Sequence, residues 1–143
     1  MEELVSLRNL MEAHRYGEAL ELIAEMEDMA RSDIRTKIYS FIKVLLQHLM
    51  KRQAEQRSTR SWDLSVENAL DQISLVNARN DAGSQYFNEE ELLTLIEKAY
   101  SLALGYAAAE SFEGQFTERE FAQKLNSEVL KQQALDLILN YKN

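Results

Sequence analysis

The chain has 143 residues and a formal charge of −8, and a domain of that size buries roughly two-thirds of the surface its unfolded chain exposes, so one hydrophobic core is feasible without staples. It contains no cysteine, which excludes disulfide scaffolds, thiolate metal sites and cysteine nucleophiles. Proline is absent and glycine occurs only at positions 17, 83, 105 and 114, while the residues that lose little rotamer freedom in a helix (Leu, Ala, Glu, Gln, Lys, Arg) dominate the rest.

An all-α fold follows, expected as a compact bundle of five or six helices in one domain, 1–143. Residues 1–20 lack the basic and apolar regions of a secretory signal. No stretch approaches the roughly 18 uncharged apolar residues of a membrane span. A soluble protein with no membrane partner is therefore expected, and the lack of cysteine is compatible with a reducing cytoplasm.

The first predicted helix covers Glu2 to Ala13, with Leu4, Leu7, Leu10 and Met11 on one side, and breaks around Arg15-Tyr16-Gly17. The second starts near Gly17 and carries Ala19, Leu20, Ile23, Met26, Met29 and Ala30 at three- and four-residue steps. Ser32 and Asp33 are both good N-cap residues, so a break or kink is expected there. A third helix then runs from Asp33 to about Gln56 on the stripe Ile34, Ile38, Phe41, Ile42, Leu45, Leu46, Leu49. Arg15-Tyr-Gly-Glu-Ala-Leu20 resembles the inter-helix turn of tetratricopeptide repeats, but nothing returns about 34 residues later.

After Gln56-Arg57-Ser58-Thr59-Arg60 the chain turns, and Ser61 or Asp63 is expected to begin a helix with Trp62, Val66, Ala69, Leu70, Ile73 and Val76 at core spacing. The polar stretch Asn77 to Asn88 is the best linker and the expected mobile loop. Asn88-Glu-Glu-Glu91 reads as a capping box, in which cap and third residue satisfy each other's backbone N–H groups. The helix it opens, to about Ser111, is apolar nearly all round, which suits the middle of a bundle. Gly114 ends it. Thr117-Glu-Arg-Glu120 is a second capping box, opening a last helix to about Tyr141.

Charge is unevenly spread. Residues 31–60 hold Arg31, Arg35, Lys37, Lys43, Lys51, Arg52, Arg57 and Arg60 against Asp33 and Glu55, a net +6, so the remainder carries −14. Clustered charge of one sign steers oppositely charged ligands. The simpler expectation is that this basic helix lies beside the acidic helix Glu18 to Asp28 and the two neutralise each other.

Chemistry-bearing constellations are sparse. His14 and His48 are the only histidines, and diiron bundles need Glu-x-x-His pairs on facing helices, which are missing; no cofactor is expected. His14 and Glu18, four apart, suit a weak surface pair. No Gly-rich phosphate loop or nucleophile elbow appears. His48, four residues before Arg52, reads as a boundary histidine donating one hydrogen bond. Trp62 reads as a core anchor with its indole N–H partnered. Arg57-Ser-Thr-Arg-Ser61-Trp62 gathers hydroxyls, guanidinium groups and free backbone N–H groups at a helix N-terminus, an anion site in the making, or else ordinary capping by Ser61 with solvated arginines. The candidate binding residues are thus His48, Lys51, Arg52, Arg57, Ser58, Arg60, Ser61 and Trp62.

Two parts of this region carry a family resemblance. Met26-Glu-Asp-Met-Ala-Arg-Ser-Asp-Ile-Arg35, continuing to Leu45-Leu-Gln-His-Leu-Met-Lys51, reads as E/D-x-M-G/A-R-S-(D/E)-x-R…L-L-x-H-L-L/M-K, and Arg57 to Trp62 is a hydroxyl-rich, Arg-containing segment ending in Ser-Trp. Together with Ala99-Tyr100 they resemble the family called domain of unknown function twenty-nine, from about Leu10 to Tyr106. Ala30, where glycine is usual, and Arg52, where tryptophan often stands, depart from the pattern, and the helix from Thr117 replaces a proline-containing tail. The resemblance implies an all-helical fold and a bacterial, largely cyanobacterial, cytoplasmic origin, and it supplies no catalytic residues.

With no catalytic constellation visible, the expected function is a non-enzymatic interaction or regulatory module whose partner is another protein or itself, as a homodimer. The alternative is a nucleic-acid-acting protein, a small nuclease or one half of a toxin–antitoxin pair, facing phosphates with residues 31–62.

Overall fold

Helix formers uninterrupted by proline give six α-helices in the computed structural model, which describes residues 2–79 and 85–141. They are α1 (Glu2–Glu12), α2 (Tyr16–Glu55), α3 (Arg60–Asn77), α4 (Glu89–Glu110), α5 (Glu118–Ala122) and α6 (Ser127–Asn140), with a 3₁₀ turn at Ser111–Gly114. The described residues contain no strand, only an isolated bridge between Ala78 and Gln85. The all-α reading holds.

The chain divides into two compact units, residues 1–35 and 36–143. In the first, α1 turns at Ala13–Arg15 through His14, whose φ is 60°. His14 Nδ1 and Tyr16 Oη share a hydrogen bond at 2.6 Å, so His14 is engaged by Tyr16, while Glu18 pairs with Arg15. Only Ala19 of this unit's described residues is buried.

The break expected at Ser32–Asp33 is absent: α2 continues through it for 40 residues. A cap residue ends a helix only when the backbone around it turns out of helical geometry, and here strong helix formers with no proline or glycine flank both residues. The acidic stretch Glu18–Asp28 and the basic stretch from Arg31 to Arg52 therefore lie along one helix, not on two helices side by side.

In the second unit most of the α2 stripe behaves as its spacing predicts, with Ile38, Ile42, Leu45, Leu46 and Leu49 buried, while Phe41, like Ile34 in the first unit, is only partly buried. Against it the core takes Ile73 of α3, Leu92, Ile96, Ala99, Ala103 and Ala107 of α4, Phe121 of α5, and Leu130 and Ala134 of α6. Each fully buried large side chain contributes about 1.5–3 kcal/mol of transfer free energy. Small residues down one face of α4 allow close approach, and α4 packs against α5, α6 and the 3₁₀ turn. Leu93, Leu102 and Tyr106 stay substantially exposed on α4, so its apolar circumference is only partly used.

Both capping boxes form: Asn88 Oδ1 accepts from Glu91 N and Glu91 Oε1 from Asn88 N, and Thr117 and Glu120 repeat the exchange. The single last helix expected from Thr117 is instead two, α5 and α6. Asn126 opens α6 by accepting from Val129 N at 3.2 Å while its own N–H donates to Gln53 Oε1 at 2.6 Å; a side chain on α2 thus takes a donor that a continuous helix would have used.

Of the stretch read as a mobile linker, residues 80–84 lie outside the described residues, and the flanking residues are held. Asn77, buried, donates through Nδ2 to Phe87 O and accepts from Phe87 N through Oδ1, as a strand neighbour would, and Phe87 enters the core.

Candidate functional site

The two helix ends at Glu55 and Glu110 bring together what the sequence keeps 55 residues apart. Lys51 is the last buried residue of the α2 stripe, its side chain only 8% exposed. An ammonium so placed needs a partner, and its Nζ reaches Glu110 Oε1 at 2.9 Å and sits 4.9 Å from the centre of the Trp62 ring. Gln47 Nε2 donates to the same Glu110 oxygen at 2.8 Å. Burial pushes the Glu110 carboxyl up, but the hydrogen bonds from Lys51 and Gln47 and the charges of Lys51 and His48 outweigh it and hold it below the ordinary glutamate value.

Glu55 is the second anchor. It ends α2, and it meets Ser111, the C-cap of α4, so a carboxylate lies at the carbonyl-rich end of two helices, where the macrodipole disfavours it. It is 11% exposed. Four contacts compensate. Arg57 Nε and Nη2 both reach Oε1, at 3.0 and 2.9 Å, the buried Ser111 hydroxyl donates to Oε2 at 2.6 Å, and the Phe112 N–H adds a backbone bond. Burial again raises this carboxyl, and the Ser111 and Arg57 hydrogen bonds, the Arg57 charge and the Phe112 N–H together bring it below the ordinary value.

The Arg57 guanidinium also lies 4.8 Å from the Trp62 ring centre. Trp62 is therefore a half-buried ring attended by two cations, not the core anchor expected; its turn of α3 lies at the helix start, and the α3 core begins one turn later at Val66. Around it opens a cleft of about 450 Å³ bordered by Glu55, Arg57, Glu110, Phe112, Glu113 and Gln115.

The helix start also differs from expectation. Thr59, not Ser61, caps α3, its Oγ1 accepting from Trp62 N at 3.1 Å, and Arg60 and Ser61 are exposed residues of the first turn. Ser58 Oγ donates to Asp63 Oδ1 at 2.5 Å, and Arg52 Nη1 approaches that oxygen at 3.9 Å. A carboxylate of the chain itself thus occupies the neighbourhood where an outside anion was expected. Arg52, Arg57 and Ser58 line a second hollow of about 420 Å³ with Gln53 and Gln133.

His48 is a boundary histidine as expected, with Nδ1 2.9 Å from the Val44 carbonyl; a carbonyl only accepts, so Nδ1 carries the proton. The structure thus brings Lys51 and Arg57 to the Trp62 ring, with Arg57 and Trp62 lining one cleft, joins Arg52 and Ser58 through Asp63, and leaves Arg60 and Ser61 apart from both groups. Sequence reasoning missed Glu55, Asp63, Glu110 and Ser111. Glu55 and Asp63 carried a usable signal, since both flank the arginine-rich turn; Glu110 and Ser111 carried none.

Residues 10–137 match the family described as domain of unknown function DUF29. The chain belongs to this family. No curated protein and no solved structure matches it. Family membership agrees with the helical resemblance drawn from the segments around Arg31, Lys51 and Trp62, and the match extends past Tyr106 to include most of α6. Among the described residues no helix is long and apolar enough to cross a membrane, and no three His, Cys, Asp or Glu side chains gather as metal ligands would.

Proposed function

We propose that this member of the family is a non-enzymatic, cytoplasmic interaction or regulatory module that docks a protein partner at the Trp62 cleft. The observation that carries the reading is a partly exposed tryptophan that lines an open cleft with Arg57 over its ring and the buried Lys51 ammonium beside it, since Trp and Arg are the residue types that dominate binding energy at protein interfaces. The rim supports a protein partner of mixed charge: Glu55, Glu110 and Glu113 alternate with Arg57 and Gln115.

The same pairing weighs against a nuclease or toxin–antitoxin role on residues 31–62. A phosphate backbone would have to compete with Glu55, Asp63 and Glu110 for Arg57, Arg52 and Lys51, and most other regions of the chain are acidic.

The test compares wild type with Trp62→Ala and Arg57→Ala combined, as immobilised baits for extract of the source cells. The reading expects a stoichiometric protein retained by wild type and lost from the variant, with helicity by circular dichroism unchanged. Retention of nucleic acid instead, falling steeply between low and physiological salt as counterions are released, would transfer support to the alternative.

A further inference from the structure

The strongest remaining feature lies away from Trp62, between α3 and α6. Helix α6 buries one face and leaves a mixed one, with Val129 and Leu137 as its apolar residues, open. Leu130, Ala134 and Leu135 enter the core, whereas Val129, Gln133, Leu137 and Asn140, spaced four, four and three apart, line an open cleft of about 650 Å³ whose other wall is Leu70 of α3. Val129 is 53% exposed there. An apolar floor of this kind costs free energy in water and gains it when covered.

The surroundings say what covers it. Asp136 lines the cleft, its Oδ1 accepting from Gln132 at 2.9 Å. At the other end Tyr141 donates to Asp71 at 3.4 Å, and its phenol is raised first by burial and then by the nearby carboxylates of Asp71 and Glu67. None of the described residues lining the cleft is cationic. The nearest candidate on α6, Lys131, is committed to Glu97 at 2.9 Å and to the Tyr100 ring. Gln133 also borders the Arg52 hollow, whose cations turn to Asp63 and Glu55.

We propose that the cleft between α3 and α6 docks a short cationic amphipathic helix of a protein partner. Val129 to Asn140 spans about 16 Å, the length of three helical turns, and an amphipathic helix laid in a groove is held by apolar anchors at i, i+3, i+4 and i+7. The anchors meet Val129, Leu137 and Leu70; flanking lysines or arginines meet Glu67, Asp71 and Asp136. This surface is separate from the Trp62 cleft, so either reading can fail alone. The exposed apolar residues of the chain's own α1, Leu4, Val5 and Met11, sit among Glu2, Glu3 and Glu12 against a single cation, Arg8, a net negative charge that disfavours a second copy's α1 as the occupant.

The probe is a fluorescein-labelled synthetic peptide of about 14 residues, four turns, with leucines at the anchor positions and lysines elsewhere, read by anisotropy against the full chain. Two controls replace the lysines by glutamates or scramble the order. Saturable one-to-one binding is expected for the lysine peptide alone. Val129→Lys, at an exposed position, should weaken it by about tenfold or more, because a desolvated unpaired charge would face the peptide. Asp136→Lys provides the same reading should the first variant fold poorly. The Trp62→Ala, Arg57→Ala protein should bind the peptide as wild type does. Equal binding of the scrambled or glutamate peptide, or unchanged binding by both folded variants, overturns the proposal. So does light scattering that shows a dimer which Val129→Lys dissociates, since a second copy would then be the occupant.

Discussion

Lys51 and Glu110 form one ion pair with very unequal surroundings, and that inequality predicts unequal mutants. The lysine side chain is 8% exposed and the glutamate 49%. Glu110→Ala leaves a nearly buried ammonium facing only the Trp62 ring and strips Gln47 of its acceptor. Losing a hydrogen bond to a charged group costs about 1.5–3 kcal/mol, and removing a carboxylate from the C-terminal end of α4 returns about 0.5 kcal/mol of dipole repulsion, so about 2 kcal/mol of net destabilisation is expected. Lys51→Met keeps the volume, removes the buried charge, and leaves Glu110 to Gln47 and water; the lost cation–π contact is offset by the relieved desolvation, and stability should stay within about 1 kcal/mol of wild type. Urea unfolding at pH 7 measures both, through the midpoint at constant m. The sign with pH is fixed: the Glu110 carboxyl is depressed in the folded chain, so its contribution is complete above the ordinary glutamate value and fades as pH falls through the lower folded one. The gap between wild type and Glu110→Ala should therefore narrow in acid. If Lys51→Met proves as damaging as Glu110→Ala, the buried-charge argument is wrong.

Arg57→Ala should cost about 1–2 kcal/mol, because it strips a largely buried carboxylate of its cation, whereas Arg60→Ala, at an exposed first-turn position, should stay within about 0.5 kcal/mol; equal effects in chemical denaturation would contradict the pairing with Glu55. Trp62→Ala should cost about 2–3 kcal/mol, less than the 3–5 kcal/mol of a core aromatic, since Trp62 is only partly buried; Phe121→Ala, fully buried, should show the full core cost of about 3–5 kcal/mol under the same assay. Gln56→Gly should be neutral or stabilise by up to about 1 kcal/mol, because Gln56 follows α2 with φ at 53°, where glycine has no Cβ penalty; a loss above about 1 kcal/mol in thermal unfolding would show that the Gln56 side chain matters.

What the sequence made legible was local. The boxes at Asn88–Glu91 and Thr117–Glu120 need only residues three apart, and the stripe from Ile38 to Leu49 needs only helical period; the boxes appear as read, and so does the stripe but for Phe41. What it hid depended on distant partners. Ser32 and Asp33 could cap a helix, yet α2 passes straight through them, and Asn126 looked unremarkable until Gln53 of α2 took its N–H. Among 24 acidic residues nothing distinguished Glu110, whose role is set by lying 2.9 Å from a lysine 59 residues earlier. The cations of residues 48–62 were visible in sequence; the carboxylates that answer most of them became visible only once the helices were packed.

Backbone strain adds an independent reason to look at the Trp62 cleft. Four described residues other than glycine have positive φ, and three of them, Gln56, Phe112 and Glu113, stand beside Glu55 or line the cleft. A left-handed backbone with a side chain costs roughly 1–2 kcal/mol per residue, and such residues persist only where their surroundings hold them. Phe112 is held by its side chain: its ring meets Phe116 edge-on at 5.2 Å, and the Lys124 ammonium lies over both rings. Glycine would satisfy the turn and lose those contacts. The same turn aims the Phe112 N–H and the Ser111 hydroxyl at Glu55, which in turn fixes Arg57 beside Trp62. Strain, an unfavourably placed carboxylate and a partly exposed tryptophan thus converge on one rim, and the contacts that retain the strain are the contacts that shape it.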